Sequence, residues 1–184
     1  MARGRFFLHN LAMTDDVLAA TNAPLAQLFR YNAWANERAL DACRGLADEQ
    51  LDAVGSGSFG SIRETLMHVI YGQYSFLARL GGKAQDSRSV SPPWPGFDAL
   101  GAVAAETSDA LVAASSALGG DADVVLAFAG KSYRYPKSFF LVHAMQHGVE
   151  HRTQIGTMLS ALGCETPDLD GWAFAGATGL GEIA

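Results

Sequence analysis

Charge is scarce in this sequence. Only 17% of its 184 residues are Asp, Glu, Lys or Arg, where an ordinary globular domain carries about a quarter. The chain is nevertheless 49% hydrophobic, so it is not a disordered or coiled-coil composition. Positive charge is the scarcer sign: 13 Lys and Arg against 19 Asp and Glu leave a net charge of −6. No basic run occurs, so the footprint of a nucleic-acid binder is missing, and an acidic surface argues against anionic membranes. Cysteine is nearly absent. Cys43 and Cys164 stand far apart in no metal-like pair. Free thiols in a reducing cytosol are the expectation, with one structural disulfide as the alternative. β-Branched residues are sparse while alanine and leucine are abundant, which favours helix. No apolar run reaches about 18 residues, so no membrane span is expected.

The length suits a single domain. The opening "MARGRFFLHNLAMTDD" has two arginines and a short apolar run but no long apolar core, so it is not read as a signal peptide. Met13 makes a natural start. Residues 1–12, His9 included, then read as upstream of that start; residues 1–23 are expected to be an N-terminal extension, followed by one domain over 24–184.

Four long helical segments are expected. The first spans 24–46, with Pro24 in its first turn, Asn22 or Thr21 near its cap, and Leu25, Leu28, Phe29, Trp34, Leu40 and Cys43 as an apolar stripe. A short helical turn is expected over 46–54, before "GSGSFGS" breaks the chain. The second long helix spans 61–80, opening on Ser61 and Glu64 at capping-box spacing. A long Gly/Ser/Pro loop follows. The third spans 97–118 and stops at Gly119-Gly120. Residues 124–128 and 132–135 flank Gly130-Lys131 and predict a small hairpin. The fourth long helix spans 138–162, ended by Gly163, and "GWAFAGA" predicts one more helical turn. Four helices with short and long connections give an all-α fold, a four-helix bundle. Trp34, Trp94 and Trp172 are expected in the core, or lining a pocket or interface.

Three of the five histidines fall on the fourth helix, at His143, His147 and His151. Residues four apart on a helix differ by about 40° in direction, so His147 and His151 point the same way, one turn apart. This is the two-histidine geometry of helical metal sites. Two imidazoles hold a divalent ion weakly, so a third ligand must come from another helix. His68, among apolar positions on the second helix, is the candidate. Three neutral imidazoles leave an open position for water or substrate. Imidazoles suit zinc, nickel, copper or iron alike. His143 has drifted by about 80° from His151. A fourth ligand is one reading; a supporting role behind the ligands is favoured. Glu150 beside the pair is a candidate base or ligand-orienting group, with a solvated surface role as the alternative. Arg152 and Gln154 share that ambiguity.

Four stretches, in order, resemble the DinB/YfiT-like group of metalloenzymes: "YNAWANERAL" (31–40), "GSFGSIRETLMHVIYGQYSFLARL" (57–80), "LVHAMQHGVEHRTQIGTMLSALG" (141–163) and "PDLDGWAF" (167–174). The resemblance spans about residues 25–172. It implies an up-down-down-up four-helix bundle, frequently a homodimer, with a divalent metal (zinc, nickel, manganese or iron) on three histidines. These fall here on His68, His147 and His151. By the same analogy Arg152 helps position an anionic group of a cofactor or substrate. One departure is Glu150, where many members carry a second histidine. The family name comes from DNA-damage induction and implies no DNA binding.

Two functional classes follow, beside a third reading of a bundle without metal whose histidines merely pack. One is a cytoplasmic metal-dependent enzyme acting on a small molecule. It would be either a thiol S-transferase-like protein using a low-molecular-weight thiol as co-substrate, or a hydrolase-like protein with Glu150 as base. The other is a non-catalytic metal-binding or stress-response bundle, in which His143 would close a structural site.

Overall fold

A computed structural model describes residues 22–180. The chain is mainly helical, with one small antiparallel sheet. In order come α1 (Ala23–Cys43), the short α2 (Asp48–Leu51), α3 (Ile62–Leu80), a 3-10 turn at Ser87–Ser89, α4 (Phe97–Ser116), β1 (Asp123–Phe128), β2 (Lys131–Pro136), α5 (Lys137–Ala161) and α6 (Gly171–Thr178). The expected N-terminal extension, with His9 and Thr21, falls outside the described residues except for Asn22 and Ala23, which already belong to the start of α1. Among the described residues no helix is long and apolar enough to cross a membrane.

The helix ends follow local chemistry. The Ser61 side chain accepts from the Glu64 backbone N–H at 3.2 Å, and the Ser61 N–H donates to the Glu64 carboxylate at 2.8 Å, completing a capping box at the start of α3. Gly163, at φ +69°, supplies the left-handed residue that closes α5. Asn22 stands at the N-cap of α1, as expected, but its side chain bonds elsewhere. Its amide does not cap α1; it donates to the carbonyls of Ser116 and Leu118, at 3.1 and 2.9 Å. Those carbonyls at the end of α4 have no helical partner, and α1 packs beside α4, so the stronger demand lies across the helix pair.

The hairpin forms with its turn one residue earlier than expected. Phe128 pairs with Lys131, leaving Ala129-Gly130 as the turn. Their φ angles of +49° and +73° match the two-residue turn that follows the strand twist. Lys131 thus joins the ladder instead of the turn.

The long helices pack in a closed ring: α1 on α4, α4 on α3, α3 on α5, and α5 on α1. Inside lie two apolar clusters. One holds Leu40, Leu66, Ile70, Leu100, Ile155 and Leu159. The other holds Phe29, Phe76, Leu111, Phe140 and Leu141, with Val124 and Leu126 of β1 closing its end. Between the clusters each long helix contributes buried polar residues: Asn32 and Asn36 from α1, Gln73 from α3, Thr107 and Ser108 from α4, Arg152 from α5. This layer displaces part of the expected stripe on α1. Phe29, Leu40 and Cys43 are buried as expected, but Leu28 is 49% exposed while Asn32 and Asn36 face inward. Trp172 is 86% exposed, not core; on α6 it is Phe174 that packs inward, against Tyr31 and Trp34. Trp94 packs on Phe97 under the Arg63 guanidinium. Both cysteines are free, and burial pushes the Cys43 thiol up to about 12.

The capping box gives a direct check. Ser61→Ala should lower unfolding free energy by about 1 kcal/mol, measured by urea denaturation. No loss would mean the box does not hold the start of α3.

Candidate metal centre

The centre sits on the seam between α3 and α5. Gly72 makes room for it: a Cβ there would stand 3.3 Å from Cε1 of His147, tighter than ordinary contact. With glycine in that place, His147 reaches His68, one turn earlier on α3. Their Nε2 atoms stand 2.9 Å apart. His151 closes the triangle, with ring centroids 4.8 Å from His68 and 4.5 Å from His147. One nitrogen from each ring lies within 4.8 Å of the others. A tetrahedral ion with bonds of 2.0–2.1 Å needs ligand nitrogens about 3.4 Å apart. The cluster brackets that spacing, and its all-imidazole donor set fits a borderline divalent cation.

His68 and His147 are held as neutral bases. Burial first, then repulsion from His151, lowers the His68 pKa. His147 falls to about 3, through burial first and then the charges of His68, His151, His143 and Arg152. A metal ligand must be deprotonated, and His68 and His147 are so at neutral pH.

Gln154 sets the third ring. Its Oε1 is 3.1 Å from the Phe59 backbone N–H and 2.8 Å from Nδ1 of His151. The Phe59 N–H can only donate, so the shared atom is an acceptor and Nδ1 of His151 carries the hydrogen. That leaves the Nε2 lone pair of His151 for a ligand role, the outer-shell orientation typical of metal sites. Phe59 itself stacks on His68, centroids 3.8 Å apart and planes within 11°, and meets the edge of His151. The "GSGSFGS" stretch is thus a shaped cover. The Ser58 hydroxyl bonds Gly55 and Gly60, and Val54 bridges to Ser61. A cleft of about 430 Å³ opens at its rim, lined by Phe59, Glu64, Met67, His68, Ser91 and Pro92. Ser91 and Pro92 come from the long loop after α3.

The remaining expected residues lie elsewhere. His143 is exposed, packed against Phe76 and Phe139, with its ring 6.3 Å from that of His147; it is not a member of the triad. Glu150 is exposed on α5 and does not line the cleft; Glu64, also exposed, does. Arg152 is 3% exposed and turns to α1, where its Nη1 donates to Oδ1 of Asn32 and of Asn36 at 2.8 and 2.6 Å. The guanidinium lies over Gly148, where a Cβ would come within 2.6 Å of Nη1. Burial pushes the Arg152 pKa down to about 10. Sequence reasoning missed Phe59, and it missed Asn32 and Asn36 as partners of Arg152. Two asparagines four apart amid apolar positions of α1 were the available signal.

Fold and site together define a mainly helical protein with a three-histidine cluster able to hold a metal ion. The chain belongs to the DinB family, whose sequence profile matches residues 13–182. Comparison with curated proteins returns no match.

The lowered histidines make stability pH-dependent. Above the unfolded value of about 6.5, folded and unfolded chains are both neutral here, and stability is complete. Below it the unfolded chain takes up protons that His147, at about 3, refuses, so stability falls as pH drops from about 6.5 toward 3. Urea denaturation of chelator-treated protein between pH 8 and 4 should show this decline, and His147→Ala should flatten it. An equal slope in the variant would contradict the assignment.

Proposed function

We propose that this protein is a metal-dependent enzyme that transfers or hydrolyses a small molecule at the His68–His147–His151 centre. One observation carries this reading: the cluster gathers three imidazoles and no fourth protein ligand among the described residues. Structural zinc sites are normally closed by four ligands, whereas catalytic ones keep a position open. The placement of His143 outside the triad favours the catalytic over the structural reading. The closed ring of four long helices supports an up-down-down-up four-helix bundle. A cytoplasmic homodimer is the assembly we propose with it.

A divalent ion bound there supplies Lewis acidity and lowers the pKa of a thiol or water brought to it. The chain does the rest. His68, His147 and His151 provide the lone pairs, and Gln154 keeps His151 in the required tautomer. Phe59 shields one face of His68 from water, leaving the cleft at Met67, Ser91 and Pro92 as the approach. A rim of Phe59, Met67 and Pro92, with Glu64 as its one acidic residue, suits a thiol and an electrophilic carbon acceptor better than a highly charged anion. Thiol S-transfer is therefore placed ahead of hydrolysis. For either reaction Glu64 is better placed to take a proton than Glu150, because it lines the cleft; one of its oxygens also accepts the Ser61 N–H.

Metal content and turnover test this together. Purified protein should carry about one divalent ion per chain, as the three-ligand site requires, and should consume an electrophile only with a thiol present. His147→Ala should lose both ion and turnover, while His143→Ala keeps most of both. Equal loss from the two variants would favour a closed four-histidine site. Full metal binding without turnover on any thiol or ester would favour the non-catalytic reading.

A further inference from the structure

The α1–α4 pair carries a cleft of its own. The two helices run antiparallel: Arg44, just past the end of α1, bonds Asp98 at the start of α4, while Asn22, at the start of α1, bonds the Ser116 carbonyl at the end of α4. Where they lie side by side, small residues (Ala33 on α1, with Gly101, Ala104 and Ala105 on α4) leave a space of about 550 Å³. Leu40 and Ala104, both buried, give it an apolar floor. In the ring of four long helices this pair lies opposite the α3–α5 seam, and the cleft shares no residue with the metal centre.

The polar groups of the cleft are unevenly matched. Among the described residues four carboxylates line it, those of Glu37, Asp41, Asp98 and Asp109, against one cation, Arg44. Arg44 is already engaged, its Nη1 at 2.6 Å from Asp98 and its Nε at 3.7 Å from Asp41. Glu37 and Asp109 enter no ion pair among the described residues, and the antiparallel packing carries Asp109 away from the Arg44–Asp98 pair toward Trp34. Ser108 adds a demand that is independent of these charges. It is 4% exposed and lines the same cleft. The other hydroxyls of α4, on Thr107, Ser115 and Ser116, bond back to carbonyls of their own helix, the usual resort of a helical hydroxyl. The Ser108 hydroxyl has no partner among the described residues, which is costly for a buried polar group. Unlike the amide nitrogens of Asn36 and Gln73, it is not sealed from the surface; it looks into the cleft that Ser108 lines.

We propose that this cleft binds a small organic amine, its ammonium group held by the carboxylates of Glu37 and Asp109 and the hydroxyl of Ser108. An ammonium has three donors and no acceptor, which suits two carboxylates and a hydroxyl. Hydrogen bonds to ionised acceptors are the stronger kind, and a cation beside the Trp34 indole gains from its ring face. The alanine and leucine floor takes the carbon chain. A bare divalent cation is the poorer fit: among the described residues only the three histidines bring three possible ligand atoms close together, and the carboxylates of this cleft do not.

Calorimetry and saturation-transfer NMR on the full chain test the proposal, with hexylamine as probe and hexanol and magnesium chloride as comparison arms at constant ionic strength. Hexylamine should bind saturably, about tenfold or more tightly than hexanol, which has the chain without the charge, or magnesium, which has the charge without the chain. Chelator treatment should leave this binding unchanged. Glu37→Gln combined with Asp109→Asn should weaken it roughly tenfold or more; both side chains are exposed, so this variant keeps the fold. Ser108→Ala should weaken it by a smaller factor. Gly101→Phe fills the cleft from a position whose Cβ meets nothing within 4 Å, and should abolish binding with the helical circular dichroism unchanged. Absence of saturable hexylamine binding, equal binding of hexanol or magnesium, loss on chelation, or undiminished binding in any of these variants once folded would overturn the proposal.

Discussion

The structure turns on how closely α3 and α5 approach. Three imidazoles are pressed together on that seam, two of their nitrogens 2.9 Å apart, and this is tolerable only while the rings stay uncharged. Burial keeps His68 and His147 so, and Gly72 provides the space. Around this constraint the other pieces take their roles. Gln154 selects which nitrogen of His151 faces the cluster, and the Gly/Ser-rich loop is folded back on itself to bring Phe59 over His68. A cluster of mutually repelling bases in a low-dielectric setting favours any cation other than a proton that can satisfy all three lone pairs at once.

A second constraint lies deeper. The core is not continuous: a belt of asparagine, glutamine, threonine, serine and arginine parts two apolar clusters. Apolar residues of the same volume would often be as stable or more so. The belt instead provides registry, because Asn32 and Asn36 on α1 engage Arg152 on α5, and Asn32 reaches Gln73 on α3. Arg152 adjoins His151 and Gln73 adjoins Gly72, so the belt that fixes the helices also fixes the metal seam.

Much of this was legible in the sequence. The bounds of the long helices were readable because their ends are written locally, in Ser61 with Glu64 and in Gly163. The pairing of His147 with His151 follows from helical spacing. His68 was weaker from pattern alone, since its partner lies 79 residues away, and family resemblance carried it. The inward turn of Asn32 and Asn36 and the exposure of Leu28 escaped a reading that sorts residues by polarity. On α1 a buried cation outweighed hydrophobicity. Phe59 escaped because Gly and Ser around it signal a break in the chain, and only tertiary contacts give such a break a shape. The separation of Arg152 from the histidines is a difference of about 100° between neighbours on a helix, which becomes decisive only once the positions of α1 and α3 are known.

X-ray absorption at the edge of the bound metal tests the central claim most directly. Three histidines with an open position predict three imidazole nitrogens at about 2.0–2.1 Å and a remaining light-atom ligand that is replaced by sulfur at about 2.3 Å when a thiol is added. Four imidazoles in the resting protein, or sulfur before any thiol is present, would contradict it.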